Sequence, residues 1–141
     1  MLVLRHRLAS REFRLEALYS LAILSLYCSN RMLGIWDDFL PAWFCSGHFG
    51  DVCGGLLFPA YVNAICAASG SSFRADSPGK LLLLGLLCAV FWEGLAPLLL
   101  SYSVADASDC LCYLIGCQIY GLSRRLIPIS EGKPQRAPHR S

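Results

Sequence analysis

Basic residues in this chain are confined to three stretches that alternate with long apolar segments. Of the twelve Lys and Arg residues, all but Arg31 fall near the N-terminus, in a central loop or near the C-terminus. The loops that membrane proteins keep in the cytoplasm carry an excess of Lys and Arg. The pattern therefore predicts a small protein that crosses a membrane several times, with the basic stretches in the cytoplasm. These stretches contain Arg5, Arg7, Arg11 and Arg14, then Arg74 and Lys80, then Arg124, Arg125, Lys133, Arg136 and Arg140.

The apolar segments between the basic stretches are long enough to cross a bilayer. Hydrophobic residues make up 55% of the 141 residues, and about 20 apolar residues span the hydrocarbon of a membrane. We expect an all-α polytopic membrane protein with four transmembrane helices and both termini in the cytoplasm. The spans are predicted at residues 15–33, at 49–70, from 81 to an outer turn at 101–105, and from Asp106 or Asp109 to about 122. The expected organisation is a basic cytoplasmic N-terminus (1–14), a transmembrane domain (15–126) and a disordered cytoplasmic tail (127–141).

Several classes of function have no support in the sequence. The net charge of +2 comes from the cytoplasmic flanks, so we expect no nucleic-acid-binding surface. The first apolar segment contains Glu16 and no clear small-residue cleavage site, which favours a retained helix over a cleaved secretory signal. Motifs for acyl transfer, zinc proteolysis and nucleotide hydrolysis are absent. We expect no cofactor, and the sequence leans away from an enzyme.

Four acidic residues from three predicted helices converge toward the outer face. They are Asp51, Glu93, Asp106 and Asp109, and Arg31 is the one basic residue expected on that side. Placed at about 1.5 Å per residue, Glu93 lies roughly 18 Å into the membrane, where a carboxylate is costly and needs a partner. One interpretation is a Glu93–Arg31 ion pair that locks the first helix against the third. The other is a polar pocket, containing this pair, that holds a cation or the polar part of a lipid-linked ligand.

Two of these acids lie where the last predicted helix begins. Asp106 suits a helix cap, while Asp109 is open to a helix-dipole role or a binding role, on a face that continues through Tyr113. Oxygen ligands suit Ca²⁺ or Mg²⁺, but the helix dipole works against a cation, so we expect no metal. His48, close to Asp51, is either an acid/base or proton-linked partner or an ordinary interfacial histidine.

Cysteines, glycines and one further acid are expected to serve structure. Cys45 and Cys53 are candidates for an outer-side disulfide in an oxidising compartment. Gly50-x-x-x-Gly54 is a spacing that allows close approach of helices. Glu16 is expected at the cytoplasmic interface, exposed and paired with arginines of the N-terminal stretch. Five other cysteines lie in predicted spans and are expected to pack as small hydrophobes: Cys28, Cys66, Cys88, Cys112 and Cys117.

A motif across the last two predicted helices resembles a known family. Glu93 is followed by Asp106-x-x-Asp109-x-x-x-Tyr113-x-x-Gly116, and this arrangement resembles the VanZ-like family of small bacterial membrane proteins. That family has a glutamate late in one helix and Asp-x-x-Asp-x-x-x-Asn-x-x-Gly at the start of the next, so Tyr113 stands where Asn is usual. A glutamine and an arginine that the family carries nearby are absent. The resemblance covers roughly residues 30–125 and implies a bacterial cytoplasmic-membrane protein of four or more helices.

The role expected from these features is a VanZ-like integral membrane protein of the cell envelope that binds a ligand or assists another membrane protein. The alternatives are a small transporter or channel that uses Glu93, and a membrane enzyme that acts on a lipid-linked substrate through His48 and the acids. Expected partners are the lipid bilayer, a lipid-linked envelope ligand or another membrane protein, and further copies of the chain. The expected ligand-binding residues are Arg31, Asp51, Glu93, Asp106 and Asp109, with His48 and Tyr113 as further candidates.

Overall fold

Helices make up most of the computed structural model, which describes residues 10–36, 38–99 and 106–126. No strand occurs among these residues, so the expected all-α class is confirmed for them. The helices are α1 (Arg11–Leu33), α2 (Phe49–Ser69), α3 (Pro78–Ala89), α4 (Ala96–Leu99) and α5 (Ala107–Leu126). A π-helical turn, Phe44–His48, leads into α2, and a second π-helical segment, Val90–Leu95, joins α3 to α4. The predicted outer turn at 101–105 and the predicted tail at 127–141 lie outside the described residues.

Capping residues explain where the helices begin and end. The Ser10 hydroxyl accepts a 3.2 Å hydrogen bond from the Phe13 N–H and so satisfies one of the donors left over in the first turn of α1. α1 ends at Gly34, whose φ of 58° is a left-handed conformation that glycine adopts without strain. Gly70, with φ 75°, ends α2 in the same way. Pro78 opens α3, where its missing N–H leaves no hydrogen bond unmade.

Two continuous helical stretches are long and apolar enough to cross a membrane. They are Phe44–Ser69, with 26 residues, and Pro78–Leu99, with 22 residues. At about 1.5 Å per residue, either stretch exceeds the roughly 30 Å of hydrocarbon in a bilayer. The second and third predicted spans therefore have the length and composition that a transmembrane helix requires.

The bundle is centred on α2, which packs against both α1 and α5, while α3 packs against α5. Two of the cysteines in predicted spans, Cys88 and Cys117, are buried in its apolar interior, as expected. Cys45 and Cys53 are not joined by a disulfide, and the Cys45 thiol lies 3.6 Å from the carbonyl oxygen of Trp36. The main buried cluster consists of Leu56, Ala60, Ala75, Leu81, Leu84, Cys117 and Tyr120.

α2 and α5 touch backbone to backbone at Gly55 and Gly116. A Cβ on Gly55 would lie 3.0 Å from the Cα of Gly116, and a Cβ on Gly116 would lie 2.8 Å from the Cα of Gly55. A larger residue at either position would push the two helices apart. The predicted Gly50-x-x-x-Gly54 pair does not make this contact, because a Cβ on either glycine would meet a tyrosine ring at 3.4 to 3.5 Å.

Glu16 is buried inside the bundle, which corrects the expectation that it lies exposed at the interface. Its side chain accepts a 2.8 Å hydrogen bond from the Tyr120 hydroxyl and forms a 3.0 Å ion pair with Arg124. Only 4% of the residue is exposed. Both partners lie on the last helix, more than a hundred residues away along the chain, so local sequence gives no sign of them.

Asn63 on α2 holds the loop that precedes α3. Its Oδ1 accepts a 2.8 Å hydrogen bond from the Ala75 N–H, and its Nδ2 donates to the Tyr120 hydroxyl at 2.7 Å. Ala75 is 2% exposed. Since Tyr120 also bonds to Glu16, one buried polar chain runs from α1 through α5 and α2 to this loop.

Candidate functional site

The four predicted acids meet at the end of the bundle where α2 and α5 begin. Asp51 lies in the first turn of α2 and Asp109 in the first turn of α5. Glu93 lies in the π-helical segment after α3, and Asp106 immediately precedes α5. The expected convergence of these acids at one end is therefore observed. They differ, however, in what each carboxylate contacts.

His48, the last residue of the π-helical turn, pairs with Asp109 across the α2–α5 interface. Its Nδ1 lies 2.7 Å from Asp109 Oδ1, and the two side chains are 21% and 19% exposed. When the carboxylate is ionised, Nδ1 carries the hydrogen and donates it. The acid/base alternative for His48 pairs it with its near neighbour Asp51, but the hydrogen bond in the structure joins it to Asp109 on the facing helix.

Asp51 accepts a 2.7 Å hydrogen bond from the Tyr113 hydroxyl. This hydroxyl also lies 3.5 Å from Glu93 Oε1, so the phenol stands between two carboxylates. Tyr113, which replaces the usual Asn of the motif, therefore links α5 to an acid on α2.

Glu93 and Asp106 complete the N-terminus of α5. Asp106 Oδ1 accepts a 2.8 Å hydrogen bond from the Ser108 N–H and acts as the cap that the sequence predicts. Glu93 Oε2 accepts a 2.7 Å hydrogen bond from the Asp106 N–H. Both carboxylates thus bind backbone N–H groups at the start of α5. Asp51, Asp109 and His48 remain as the centre of the candidate site.

Arg31 lies apart from the acids. It is exposed in the last turn of α1, where it lines an open groove of about 540 Å³ together with Asn30 and Trp43. The salt bridges among the described residues do not include the predicted pair of Arg31 with Glu93. The reason is that Glu93 binds the backbone before α5 and faces the Tyr113 hydroxyl instead.

The acids at this end line none of the four best-formed cavities among the described residues. The site is instead a set of direct side-chain contacts. Contacts of this kind suit a proton or a single ion better than a lipid headgroup.

Cys112 belongs to this cluster, although its place in a predicted span indicates a packing residue. Its Sγ, the imidazole of His48 and the carboxylate of Asp109 provide three ligand atoms that all lie within 4.8 Å of one another. Cys112 follows Asp109 by three residues, so both side chains are on the same face of α5. Cys112 is only partly buried, unlike Cys88 and Cys117.

A spacing shared by α2 and α5 explains why these side chains meet. Both helices run away from the site, and they cross at a pair of glycines. Polar side chains that precede each crossing glycine by the same number of residues therefore face each other. They are Asp51 and His48, four and seven residues before Gly55, and Cys112 and Asp109, four and seven residues before Gly116. This match was visible in the sequence, but its meaning depends on knowing that the two glycines touch.

The centre of the site carries more negative than positive charge. Among the described residues, no Lys or Arg forms a salt bridge with Asp51, Glu93, Asp106 or Asp109. In the part of the chain that the structure describes, His48 is the one basic group in direct contact with them. Ionised carboxylates gathered at one end of a bundle repel one another, and a proton or a cation bound among them relieves that repulsion.

A comparison of the chain with family models, curated proteins and solved structures finds no match. The resemblance to the VanZ-like family therefore depends on the residues quoted above alone.

Proposed function

We propose that this chain is a four-span integral membrane protein that binds a small cation through a site centred on His48, Asp51 and Asp109. Both termini lie in the cytoplasm, and the site faces the outer side of a bacterial cytoplasmic membrane. The role is that of a VanZ-like accessory protein of the cell envelope. The observation that carries the proposal is the pair of 2.7 Å contacts that join α2 to α5 at this end, His48 with Asp109 and Tyr113 with Asp51. Neither acid has a Lys or Arg salt-bridge partner among the described residues.

Exposed apolar side chains support α1 and α5 as the first and fourth spans. α1 has 23 residues and α5 has 20, which is sufficient length for a bilayer. Each helix exposes large apolar side chains that recur at helical spacing, and a surface of this kind is stabilised by lipid rather than water. These residues include Leu18, Leu21 and Leu24 on α1 and Leu111, Ile115, Ile119 and Leu122 on α5.

The charges at the other end of the bundle support the orientation. Arg74, Arg124 and Arg125 line one polar cavity there, at the end of α5 remote from the acids. Cationic side chains of this kind remain in the cytoplasm. The acids at the start of α2 and α5 then face outward.

A small cation fits the geometry better than a lipid-linked molecule. His48 contacts Asp109 directly and the Tyr113 hydroxyl contacts Asp51 directly, and these side chains line none of the four best-formed cavities among the described residues. Ionisable side chains within membrane helices usually face the bundle interior and mark ion or proton sites. The excess negative charge provides the attraction for such an ion.

The contact of His48 with Asp109 favours an enzyme as the second candidate. A carboxylate bound to Nδ1 orients an imidazole as a general base, as in hydrolytic triads. Such an enzyme would act on a lipid-linked substrate, and its turnover would disappear in His48→Gln. A transporter that uses Glu93 has less support, because Glu93 is bonded to the backbone N–H of Asp106.

Cysteine labelling in intact cells tests the orientation. Single cysteines are placed at Asp38 or Ser72 in a chain whose own cysteines are replaced by serine, and the cells are treated with a membrane-impermeant maleimide. We expect labelling at position 38 and protection at position 72 until the cells are opened. The reverse pattern would put the site on the cytoplasmic side and overturn the proposed orientation.

Thermal unfolding of the detergent-solubilised protein tests cation binding. The midpoint is measured with Ca²⁺, Mg²⁺, Zn²⁺ or spermidine, and we expect at least one of them to raise it in a concentration-dependent manner. The increase should disappear when Asp51 and Asp109 are both changed to Asn, and it should persist in the control Asp76→Asn, at an exposed acid in the opposite loop. No stabilisation by any of the four cations would overturn the proposal.

A further inference from the structure

We propose that the cation is a transition metal ion of the zinc type, held by His48, Asp109 and Cys112. This inference rests on the proposed function and specifies its ligand. The three side chains offer a ring nitrogen, a carboxylate oxygen and a sulfur, all within 4.8 Å of one another. Nitrogen, oxygen and sulfur are the donors that proteins use for Zn²⁺.

The three donor atoms surround a common point. The ring nitrogen of His48 and the oxygen of Asp109 are 2.7 Å apart, and the sulfur of Cys112 lies within 4.8 Å of its two partners. Zinc bonds of about 2.0–2.3 Å in a tetrahedron place donor atoms roughly 3.3–3.8 Å apart. A side-chain adjustment of about 1 Å therefore brings all three atoms to bonding distance.

The same geometry argues against a Cys–His–Asp catalytic relay. In a relay the carboxylate and the thiol bind opposite edges of the imidazole ring, so the ring separates them. In this site the carboxylate oxygen and the sulfur are themselves within 4.8 Å of each other. They lie side by side, as two ligands of one ion do.

The donor set selects the class of metal. Ca²⁺ and Mg²⁺ prefer oxygen ligands, whereas imidazole and thiolate suit Zn²⁺ and Co²⁺. Asp51 lies on the facing helix, where the Tyr113 hydroxyl, one residue after Cys112, donates a 2.7 Å hydrogen bond to it. We assign the remaining coordination position to Asp51 or to a water molecule.

Charge balance favours the bound state. Binding converts the thiol of Cys112 to a thiolate and releases its proton to solvent. The Nδ1 hydrogen of His48 is released to solvent while Nε2 takes one up, so that the neutral imidazole coordinates through Nδ1. The two positive charges of the metal then offset the thiolate and the carboxylate of Asp109. The expectation of no metal considered the aspartates at the start of α5 alone, without the nitrogen and sulfur that join Asp109 in the structure.

Cobalt substitution tests this site in the complete chain. The detergent-solubilised protein is reduced, freed of metal and titrated with Co²⁺, whose bond to a thiolate gives a near-ultraviolet charge-transfer band. We expect one equivalent of Co²⁺ per chain, a band that Zn²⁺ displaces, and loss of that band in Cys112→Ser. Cys110→Ser, two residues away on α5, is the matched control and should keep the band. His48→Gln and Asp109→Asn should each weaken binding at least about tenfold.

The outcomes distinguish this inference from the function on which it rests. A cobalt band that survives Cys112→Ser, or cobalt affinity unchanged in all three ligand variants, overturns the metal site. Stabilisation by Ca²⁺ or spermidine without stoichiometric binding of Co²⁺ or Zn²⁺ also overturns it, yet leaves the cation-binding function in place. If no cation binds to or stabilises the protein, both proposals are wrong. Helical circular dichroism and gel filtration confirm that each variant is folded before its titration is interpreted.

Discussion

Glu16 on α1 and Arg124 on α5 form a 3.0 Å ion pair inside the bundle, with their side chains 5% and 14% exposed. The other three salt bridges of the described residues are more exposed. Arg124 contacts one carboxylate oxygen of Glu16, and the Tyr120 hydroxyl donates to the other. This pair therefore ties the first helix to the last at the end of the bundle opposite the candidate site.

Removing the cation of this pair should be strongly destabilising. Arg124→Ala leaves a buried carboxylate with Tyr120 as its remaining hydrogen-bond partner, and we expect the free energy of unfolding to fall by about 3 kcal/mol. SDS titration of the protein in dodecylmaltoside micelles measures the change. Arg125→Ala, at the adjacent exposed position, is the control and should have little effect. Equal losses for the two arginines would contradict a role for the buried pair.

The amide of Asn63 should stabilise the loop before α3. Asn63→Leu leaves the buried Ala75 N–H and the Tyr120 hydroxyl without this partner, so we expect a loss of about 2 kcal/mol. Hydrogen exchange at Ala75, followed by mass spectrometry, should become faster. Gln118→Leu removes an exposed bond to the Pro78 carbonyl and should leave exchange at Ala75 unchanged. Unaltered exchange in Asn63→Leu would mean that the amide does not hold the loop.

The glycine crossing should control both stability and cation binding. Gly116→Ala forces the backbones of α2 and α5 apart, and overpacking of this kind costs about 2 kcal/mol. Because the crossing sets the distance between His48 and Asp109, cation affinity should also fall. Gly94→Ala is the matched control, since a Cβ there meets nothing within 4 Å. Wild-type stability and affinity in Gly116→Ala would contradict this account of the crossing.

The exposed pair of Asp76 and Lys80 should make a small contribution that depends on pH. A 2.8 Å hydrogen bond from Lys80 lowers the pKa of Asp76 below its ordinary value. The stabilisation is therefore complete above the unfolded pKa of about 4 and is lost as the pH falls through the lower folded value. Since the Asp76 side chain is 65% exposed, solvent screening limits the stabilisation from this pair to about 0.3 kcal/mol.

Comparison with Asp76→Asn isolates that contribution. SDS midpoints of the two proteins should differ by a constant amount from neutral pH down to about pH 5 and should converge below about pH 4. High salt should reduce the difference at every pH, because the pair is exposed. A difference that widens as the pH falls would contradict the lowered pKa.

The helices and the convergence of the acids could be predicted because both follow from local patterns. Apolar stretches of sufficient length predict the helices, and Asp106 before α5 predicts its own capping role. Because helices that are adjacent in sequence run antiparallel, the start of α2, the end of the Pro78–Leu99 stretch and the start of α5 lie at one end of the bundle. Asp51, Glu93 and Asp109 meet for that reason.

Side-chain partners could not be predicted, because they depend on how each helix is rotated about its own axis. The contact of Gly55 with Gly116 sets that rotation for α2 and α5 and turns His48 toward Asp109 and Cys112. The rotation of α1 places Glu16 inside the bundle beside Arg124, while Arg31 remains exposed. A single sequence specifies how residues are spaced along each helix. Which side of the adjacent helix those residues contact is decided by the tertiary structure.

The buried polar chain between α1 and α5 has a consequence for the order in which the protein assembles during synthesis. Glu16 leaves the ribosome 104 residues before Tyr120, the hydroxyl that it binds. Asn63 also lacks its Tyr120 partner until α5 has been made, whereas Ala75, its other partner, follows it closely in the chain. Until α5 has been made, the earlier helices hold a carboxylate that lacks the donor and the cation of the finished protein. We therefore expect α5 to be the element whose synthesis completes this network of hydrogen bonds and allows the helices to form a stable bundle.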